Sequence, residues 1–420
     1  MGLPARALDR SPSPPAPLQS KYVNIAANPG RSVSRGGKAL AGFLLSGFLL
    51  AFLGAILPAW GYHRDPAHFT AAGNYFLSLA IGIIAATWLA GPILARRGLS
   101  FLLVAGCVLS SAALLFLSAV TPPAGSEWGR IAVGLLALGF GAGLINVALF
   151  HGISVRYQSD AAGTVTLGGI WYGLGCLTAT LVVYGAIDTY TVPSILIFMA
   201  VVPALFAVVY VKPSFRTAVA PAPQRTRRQV LDDFRSPGAI LFALLLFFQF
   251  GNEWSIAGWL PIFLIRQKGM SPSGALTILA LYWFFLLIGR LIAIAILPRV
   301  RHGRLLTGSM LSAIFGCLIL FYTVNSFGAG TGAFFVGAGF ASIYPLVAEA
   351  IGRRFPYYHP GFFNGIFTFA QVGGLIAPAT LGYLAELLDV RIVLGIPLIG
   401  TFMVMALMVL IWLESRVTGR

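Results

Sequence analysis

The chain predicts an all-α membrane protein: twelve transmembrane helices in two pseudo-symmetric six-helix bundles. Three observations predict it. The 420 residues are 58% hydrophobic and only 10% charged, with a mean hydropathy of +0.87, a balance that excludes a soluble globule of this length. Apolar windows of about 20 residues, enough to cross a ~30 Å hydrocarbon layer, recur along the sequence. Short glycine strings also recur in equivalent windows of the two halves.

The windows follow in order, each bounded by charge, proline or a polar turn. The first, 39–60, starts after Lys38 and closes past Leu57-Pro58. The second, 71–94, ends on Arg96-Arg97-Gly98, and the third, 99–119, stops at Thr121-Pro122-Pro123. The fourth and fifth, 131–153 and 161–186, are divided by Arg156 and Asp160. The sixth, 192–211, runs into Lys212-Pro213. The seventh, 238–264, opens at Ser236-Pro237, a helix-starting pair, and ends at Arg266. The eighth, 272–297, ends on Pro298-Arg299; the ninth is 305–322, and the tenth, 328–350, stops at Arg353-Arg354. The eleventh and twelfth, 361–384 and 390–413, are split by Glu386 and Asp389. The resulting organisation is a disordered, Pro- and Arg-rich cytoplasmic tail (1–37), a first bundle (38–211), a basic cytoplasmic linker (212–237), a second bundle (238–414) and a short cytoplasmic tail (415–420). The first 36 residues carry no apolar core of a signal peptide.

Net charge is +16, yet its distribution argues against nucleic acid. With an even number of crossings, 22 of the 28 Lys and Arg fall on the face that holds both termini, and five (Arg64, Arg130, Arg266, Lys268, Arg391) on the other. That asymmetry places both termini in the cytoplasm by the positive-inside rule. Cys107, Cys176 and Cys317 lie in apolar windows without paired spacing, so neither a disulfide framework nor a metal site is expected. No GxxxxGK(S/T) string is present, and no nucleophile or paired-carboxylate constellation appears, so no cofactor, no catalytic residue and no enzymatic role are expected.

The two halves repeat. Gly54-Ala-Ile-Leu-Pro58 in the first window matches Ala257-Gly-Trp-Leu-Pro261 in the seventh at an offset of 203. Gly139-Phe-Gly141 matches Gly337-Ala-Gly339 at 198, and Gly173-Leu-Gly175 matches Gly373-Gly374 at about 199. Internal repeats with a site at their interface mark transporters.

With two six-span halves, a basic central loop and short loops elsewhere, residues 38–414 resemble the major facilitator superfamily. The string Gly91-Pro-Ile-Leu-Ala95-Arg96-Arg97-Gly98 is similar to that family's GxxxD(R/K)xG signature, with Ala95 where the family carries Asp. The resemblance implies that this loop helps to close the cytoplasmic side, and Ala95 removes the carboxylate of the usual gate. Three strings resemble the fucose, glucose and galactose permease branch: Gly54 to Pro58, Gly251-Asn252-Glu253 with Gly258 to Pro261, and Ala341-Ser-Ile-Tyr-Pro345. That branch implies sugar transport. In fucose permease an acidic residue of the first span takes part in coupling, and the first window here offers none.

Glu253 is the most informative residue. It lies in an apolar run about 22 Å along a helix that starts near Gly238, where a charge costs on the order of 2.5 kcal/mol or more and marks a pathway. Substrate-binding candidates are the polar and aromatic residues that the windows tolerate: Asn146, Trp171 and Tyr172 from the first half, then Gln249, Asn252, Glu253, Trp254, Trp259, Trp283, Tyr344, Asn364 and Gln371 from the second. Amides supply paired donors and acceptors for hydroxyls, and aromatic faces stack on sugar rings. Gln249, Asn252 and Glu253 at i, i+3 and i+4 share one helical face. Gly251, Gly258 and Pro261 predict an interrupted seventh helix there. The proton-coupling candidate is Glu253. Gating candidates are Arg96, Arg290, Glu349 and Arg353, with Arg290 expected to snorkel toward the cytoplasm and meet backbone carbonyls or Glu349.

The function expected is secondary active transport of a neutral, hexose-like sugar by alternating access, as a monomeric proton symporter in the bacterial inner membrane. A sugar facilitator without ion coupling and a proton-driven exporter of amphipathic compounds stay open at this point.

Overall fold

The computed structural model describes residues 29–64, 68–120, 128–159, 161–211, 235–296, 300, 302–354 and 360–418. The central linker at 212–234 and the tail at 1–28 lie outside the described residues. Among the described residues the structure is all-helical. The first bundle comprises α1 (Pro29–Ile56), α2 (Phe69–Arg97), α3 (Leu99–Ser118), α4 (Trp128–Ser159), α5 (Ala161–Ala186) and α6 (Val192–Val211). The second comprises α7 (Pro237–Lys268), α8 (Pro272–Ile296), α9 (His302–Tyr322), α10 (Ser326–Ala341), α11 (Ile343–Arg354), α12 (Pro360–Leu387) and α13 (Gly395–Thr418), the last preceded by a 3-10 turn, Val390–Leu394. Among the described residues eleven stretches are long and apolar enough to cross a membrane, one of them joining α10 and α11. The 28-residue α12 supplies the twelfth crossing.

Helix starts follow local chemistry. Ser236 caps α7 by accepting from the Ala239 N–H, with Pro237 at the first helical position, and Asn325 caps α10 through Gly328. The first helix begins at Pro29, so residues expected to form a disordered tail are helical from that point. The seventh helix also departs from expectation: α7 runs unbroken through Gly251, Gly258 and Pro261 for 32 residues. Its glycines serve packing instead. A Cβ on Gly251 would press on Ala377 and Gly373 of α12, and one on Gly258 would meet Phe76 at 2.7 Å. The break falls in the tenth crossing, between Ala341 and Ile343, where Pro345 opens α11 without an N–H to donate.

The repeat seen in the sequence reappears as contacts. In α4, Gly139 lies against the Leu79 carbonyl of α2; in α10, Gly337 lies 2.7 Å, measured from a built Cβ, from the Tyr282 carbonyl of α8. Gly141 faces the Gly106 carbonyl at 2.8 Å and Gly339 the Ser309 carbonyl at 2.7 Å. Gly175 packs on Leu44, and Gly373 on Phe247. In each pair the partners on the earlier helices differ by 203 positions and the glycines by 198, so one packing solution is used twice. Glycine at these seams lets backbones approach, which is where helix association in a membrane finds its dispersion energy.

The halves meet most tightly at the face opposite the termini. There Gly54 of α1 lies against Ala257 and Gly258 of α7, and Gly73 of α2 against Ala379 and Gly382 of α12. Thr70 N–H donates to Glu386 at 3.2 Å, Tyr383 bonds Asn74, and Arg266 donates to the His63 carbonyl at 3.3 Å. This face is closed.

Candidate functional site

Glu253 of α7 is buried, 3% exposed, and accepts at Oε1 from Gln249 Nε2 at 2.9 Å. Its Oε2 accepts from Arg290 of α8 at 3.3 Å, an ion pair whose side chains are 4% and 5% exposed. Arg290 does not snorkel toward the face of the termini. The helices α7 and α8 face one another, so the guanidinium reaches across between them to the carboxylate. Its other amine donates to the Gly169 carbonyl of α5 at 2.8 Å, which ties the second bundle to the first. The Tyr344 ring receives the same cation 5.6 Å from its centroid. A Cβ on Gly169 would stand 3.3 Å from the Tyr344 ring and 3.6 Å from the Arg290 guanidinium, so glycine leaves room for the ring at this point.

This pair forms one wall of a cavity that runs from the middle of the bundle toward the face of the termini. Ser46, Asn146, Thr164 and Tyr172 line it from the first bundle, and Phe250, Glu253, Arg290, Tyr344 and Gln371 from the second. Its volume, about 40 Å³, holds roughly three waters. Three buried polar atoms on the first-bundle side have no hydrogen-bond partner among the described residues: Asn146 Nδ2, Thr164 Oγ1 and Tyr172 OH. The Asn146 carbonyl is already held by Ser46 Oγ at 2.5 Å, which turns the amide nitrogen outward.

The cavity brings together Asn146, Tyr172, Glu253, Tyr344 and Gln371 of the expected substrate-binding residues, and Arg290 of the expected gating residues. It leaves others behind. Asn252 points to α13: its amide is oriented with nitrogen 3.3 Å from the Phe248 carbonyl and oxygen 3.1 Å from Thr401 N, and a Cβ on Gly400 would strike it. Glu253, one residue on, is turned about 100° away, so the shared face splits between two neighbours. Trp259 lies wholly in the closed face, where its Nε1 donates to the Pro378 carbonyl at 2.8 Å and its ring packs on Phe69 and Phe76. Trp283 stands behind Trp254, and Trp254 behind Tyr172, in a stack of edge contacts at 5.7 and 6.3 Å. Gln249 supports Glu253 from behind. Trp171 is half-buried against the core. Arg96 is exposed and Glu349 half-buried; the side chains of Asn364 and Arg353 lie outside the described residues.

Ser46 and Thr164 were not singled out, because a small hydroxyl leaves hydropathy unchanged. The repeat held a signal for Ser46: the 203 offset maps it onto Gln249, as the 198 offset maps Asn146 onto Tyr344. Glu253 and Arg290 map onto Leu50 and Thr87, so the ion pair has no copy in the first bundle.

Two repeated bundles of membrane-crossing helices around one polar cavity at their interface define a polytopic carrier for small solutes. Comparison with known proteins agrees. The model of the Major Facilitator Superfamily matches residues 166–378, and the chain belongs to that superfamily. It is 25% identical over 396 residues, 90% of this chain and 95% of the relative, to an uncharacterised MFS-type transporter of Yersinia pestis. It is 22% identical over 280 residues to the glucose/mannose transporter GlcP of Bacillus subtilis, covering 64% of this chain and 69% of that one. Among solved structures it is similar to FucP in the outward conformation (TM-score 0.59, 15% identity, 90% of this chain and 98% of that one). It is also similar to the nucleoside transporter NupG (TM-score 0.63, 14% identity, 90% and 99%).

Proposed function

We propose that this chain carries a neutral, hydroxyl-rich solute of hexose size by alternating access, with the proton as coupling ion and Glu253 as its carrier. The carrying observation is the cavity's chemistry. Its only carboxylate and guanidinium among the described lining residues neutralise each other, so the wall offers no net charge to an ionic solute. The unpartnered donor and hydroxyls of Asn146, Thr164 and Tyr172 face it across the interface, and Phe250 and Tyr344 supply apolar faces for ring carbons. Entry of a solute needs the bundles to part at the face of the termini, because the opposite face is closed. The similarity to GlcP supports a sugar, and the charge asymmetry supports a bacterial inner membrane with both termini in the cytoplasm. Residues from both bundles of one chain line the cavity, which supports a monomeric carrier. A polar wall of this kind suits an exporter of amphipathic compounds poorly.

Protonating Glu253 would neutralise Arg290's partner and loosen the tie to Gly169, a route from proton binding to bundle movement. One observation favours a second reading, facilitated diffusion: Arg290 at 3.3 Å stabilises the ionised carboxylate, so the site is complete without a proton. The test is uptake of labelled hexoses into proteoliposomes with and without an inward proton gradient. Accumulation driven by the gradient supports symport, and equilibration alone supports the facilitator. Uptake of labelled nucleosides with no hexose uptake would overturn the sugar.

A further inference from the structure

A cavity larger than the central one lies elsewhere in the molecule. A groove of about 330 Å³ lies between α9 and α13 near the closed face, against about 40 Å³ for the central cavity. Its wall is apolar, formed by Leu318, Phe321 and Tyr322 on one side and Ile392, Leu394 and Leu398 on the other, and Arg391 stands at its rim. Two features of the molecule say that the groove is more than loose packing.

The first is the repeat. The equivalent helices of the first bundle, α3 and α6, are zipped together: Ser100 Oγ donates to the Tyr210 carbonyl at 2.6 Å and Ser111 Oγ to the Ala200 carbonyl at 2.8 Å. At the 203 offset these serines become Gly303 and Ile314, which bear no hydroxyl, and α9 and α13 stand apart where their counterparts close. The second is charge. The closed face carries only five Lys and Arg in all, yet Lys268 and Arg391 both flank this groove. Lys268 Nζ donates to the carbonyl of Phe321, a wall residue. Arg391 Nε donates to Gln267 at 2.9 Å, and Asp389, 3.9 Å away, is shared with Gln267 and the Arg391 backbone. Two cations thus meet one carboxylate, at the level where Tyr322 (76% exposed) ends its helix at the membrane boundary.

We propose that this groove is a binding site for an anionic phospholipid of the leaflet at the closed face, with one acyl chain between α9 and α13 and its phosphate between Lys268 and Arg391. An apolar slot open to hydrocarbon takes a chain, and surplus cations at headgroup depth select the anionic lipid over the zwitterionic one.

The experiment is native mass spectrometry of the full-length protein extracted from vesicles of phosphatidylglycerol and phosphatidylcholine with identical acyl chains. The expected result is a one-to-one lipid adduct that favours phosphatidylglycerol about fivefold or more per basic residue engaged. Arg391→Gln, at an exposed rim position, should cut that preference about fivefold while leaving the elution volume of the protein unchanged. Leu318→Trp, which fills the slot from its lipid-facing side, should remove the adduct of both lipids. Equal retention of the two lipids by the unsubstituted protein would overturn the proposal, as would a preference untouched by Arg391→Gln or a dimer in place of the adduct.

Discussion

The Glu253–Arg290 pair can be dissected against a standard that the chain itself supplies. The equivalent positions of the first bundle hold Leu50 and Thr87, so Glu253→Leu with Arg290→Thr converts the second bundle to a solution already tolerated in the first. Each single substitution leaves one charge buried without its partner, since both side chains are at most 5% exposed. Breaking a buried pair from one side costs about 3–5 kcal/mol, whereas replacing both partners with fitting neutral groups is often near neutral. For bundles of under 200 residues, about 2–4 °C of midpoint shift accompanies each kcal/mol, so each single variant should unfold on the order of 10 °C lower. The double variant should recover to within a few degrees, and uptake should be lost in all three. The assay is thermal unfolding of purified protein in one detergent, beside solute uptake in proteoliposomes. A double variant whose loss equals the sum of the singles would show that the groups do not interact, and the account of the site would fail.

Three further outcomes are expected. Gly54→Ala sets a methyl group against Ala257 and Gly258 at the closed face, an overpacking of about 1–3 kcal/mol that shifts the balance toward the open arrangement roughly five- to hundredfold. A cysteine in place of Asn74 should then react faster with a membrane-impermeant maleimide, and an unchanged rate would show that the seam does not hold the face shut. Tyr172→Phe removes a hydroxyl that bonds nothing among the described residues, so the unfolding midpoint should stay while the half-saturation concentration for solute rises about two- to tenfold; a fall in stability instead would make Tyr172 structural. Burial, with Arg64 alongside, holds His63 below its usual value, so the folded form binds fewer protons than the unfolded one. Its share of stability is complete above about pH 6.5 and declines as pH falls below that. Comparing midpoints of His63→Gln and the unsubstituted protein between about pH 5 and pH 7.5 should show the gap narrow in acid, and parallel curves would remove His63 from the closed face's pH response.

The fold was legible because membrane insertion reduces to length and polarity, and twelve windows survive errors of several residues at their ends. Duplication was legible from three glycine strings, and each proved to sit at a seam where a backbone must come close. The site was legible only where a residue violates its surroundings. Glu253 and Arg290 stand out in apolar runs, so both were found, yet their pairing was not, since it depends on how α7 and α8 face one another. Asn252 was misplaced because i+3 and i+4 positions diverge by a full residue turn, enough for Thr401 to claim one and Arg290 the other. Tryptophans misled for a similar reason: Trp259 and Trp283 are large enough to fill helix junctions on their own. Thr164, a small hydroxyl among many, carried no signal in a single sequence.

The closed face is sealed largely by Gly54, Gly73, Gly258 and Gly382 lying on backbone and on Ala257 and Ala379. Such residues have almost no rotamers to freeze, whereas a seal of long side chains would order up to about 2 kcal/mol of conformational freedom each time it shut. Shutting and parting at these seams therefore exact little entropy in either direction. Two states close in free energy are what a carrier needs, because moving an equilibrium from 1:99 to 99:1 demands about 5.5 kcal/mol of differential binding. A smooth glycine seam leaves that choice to the modest energies of a neutral solute and one ion pair.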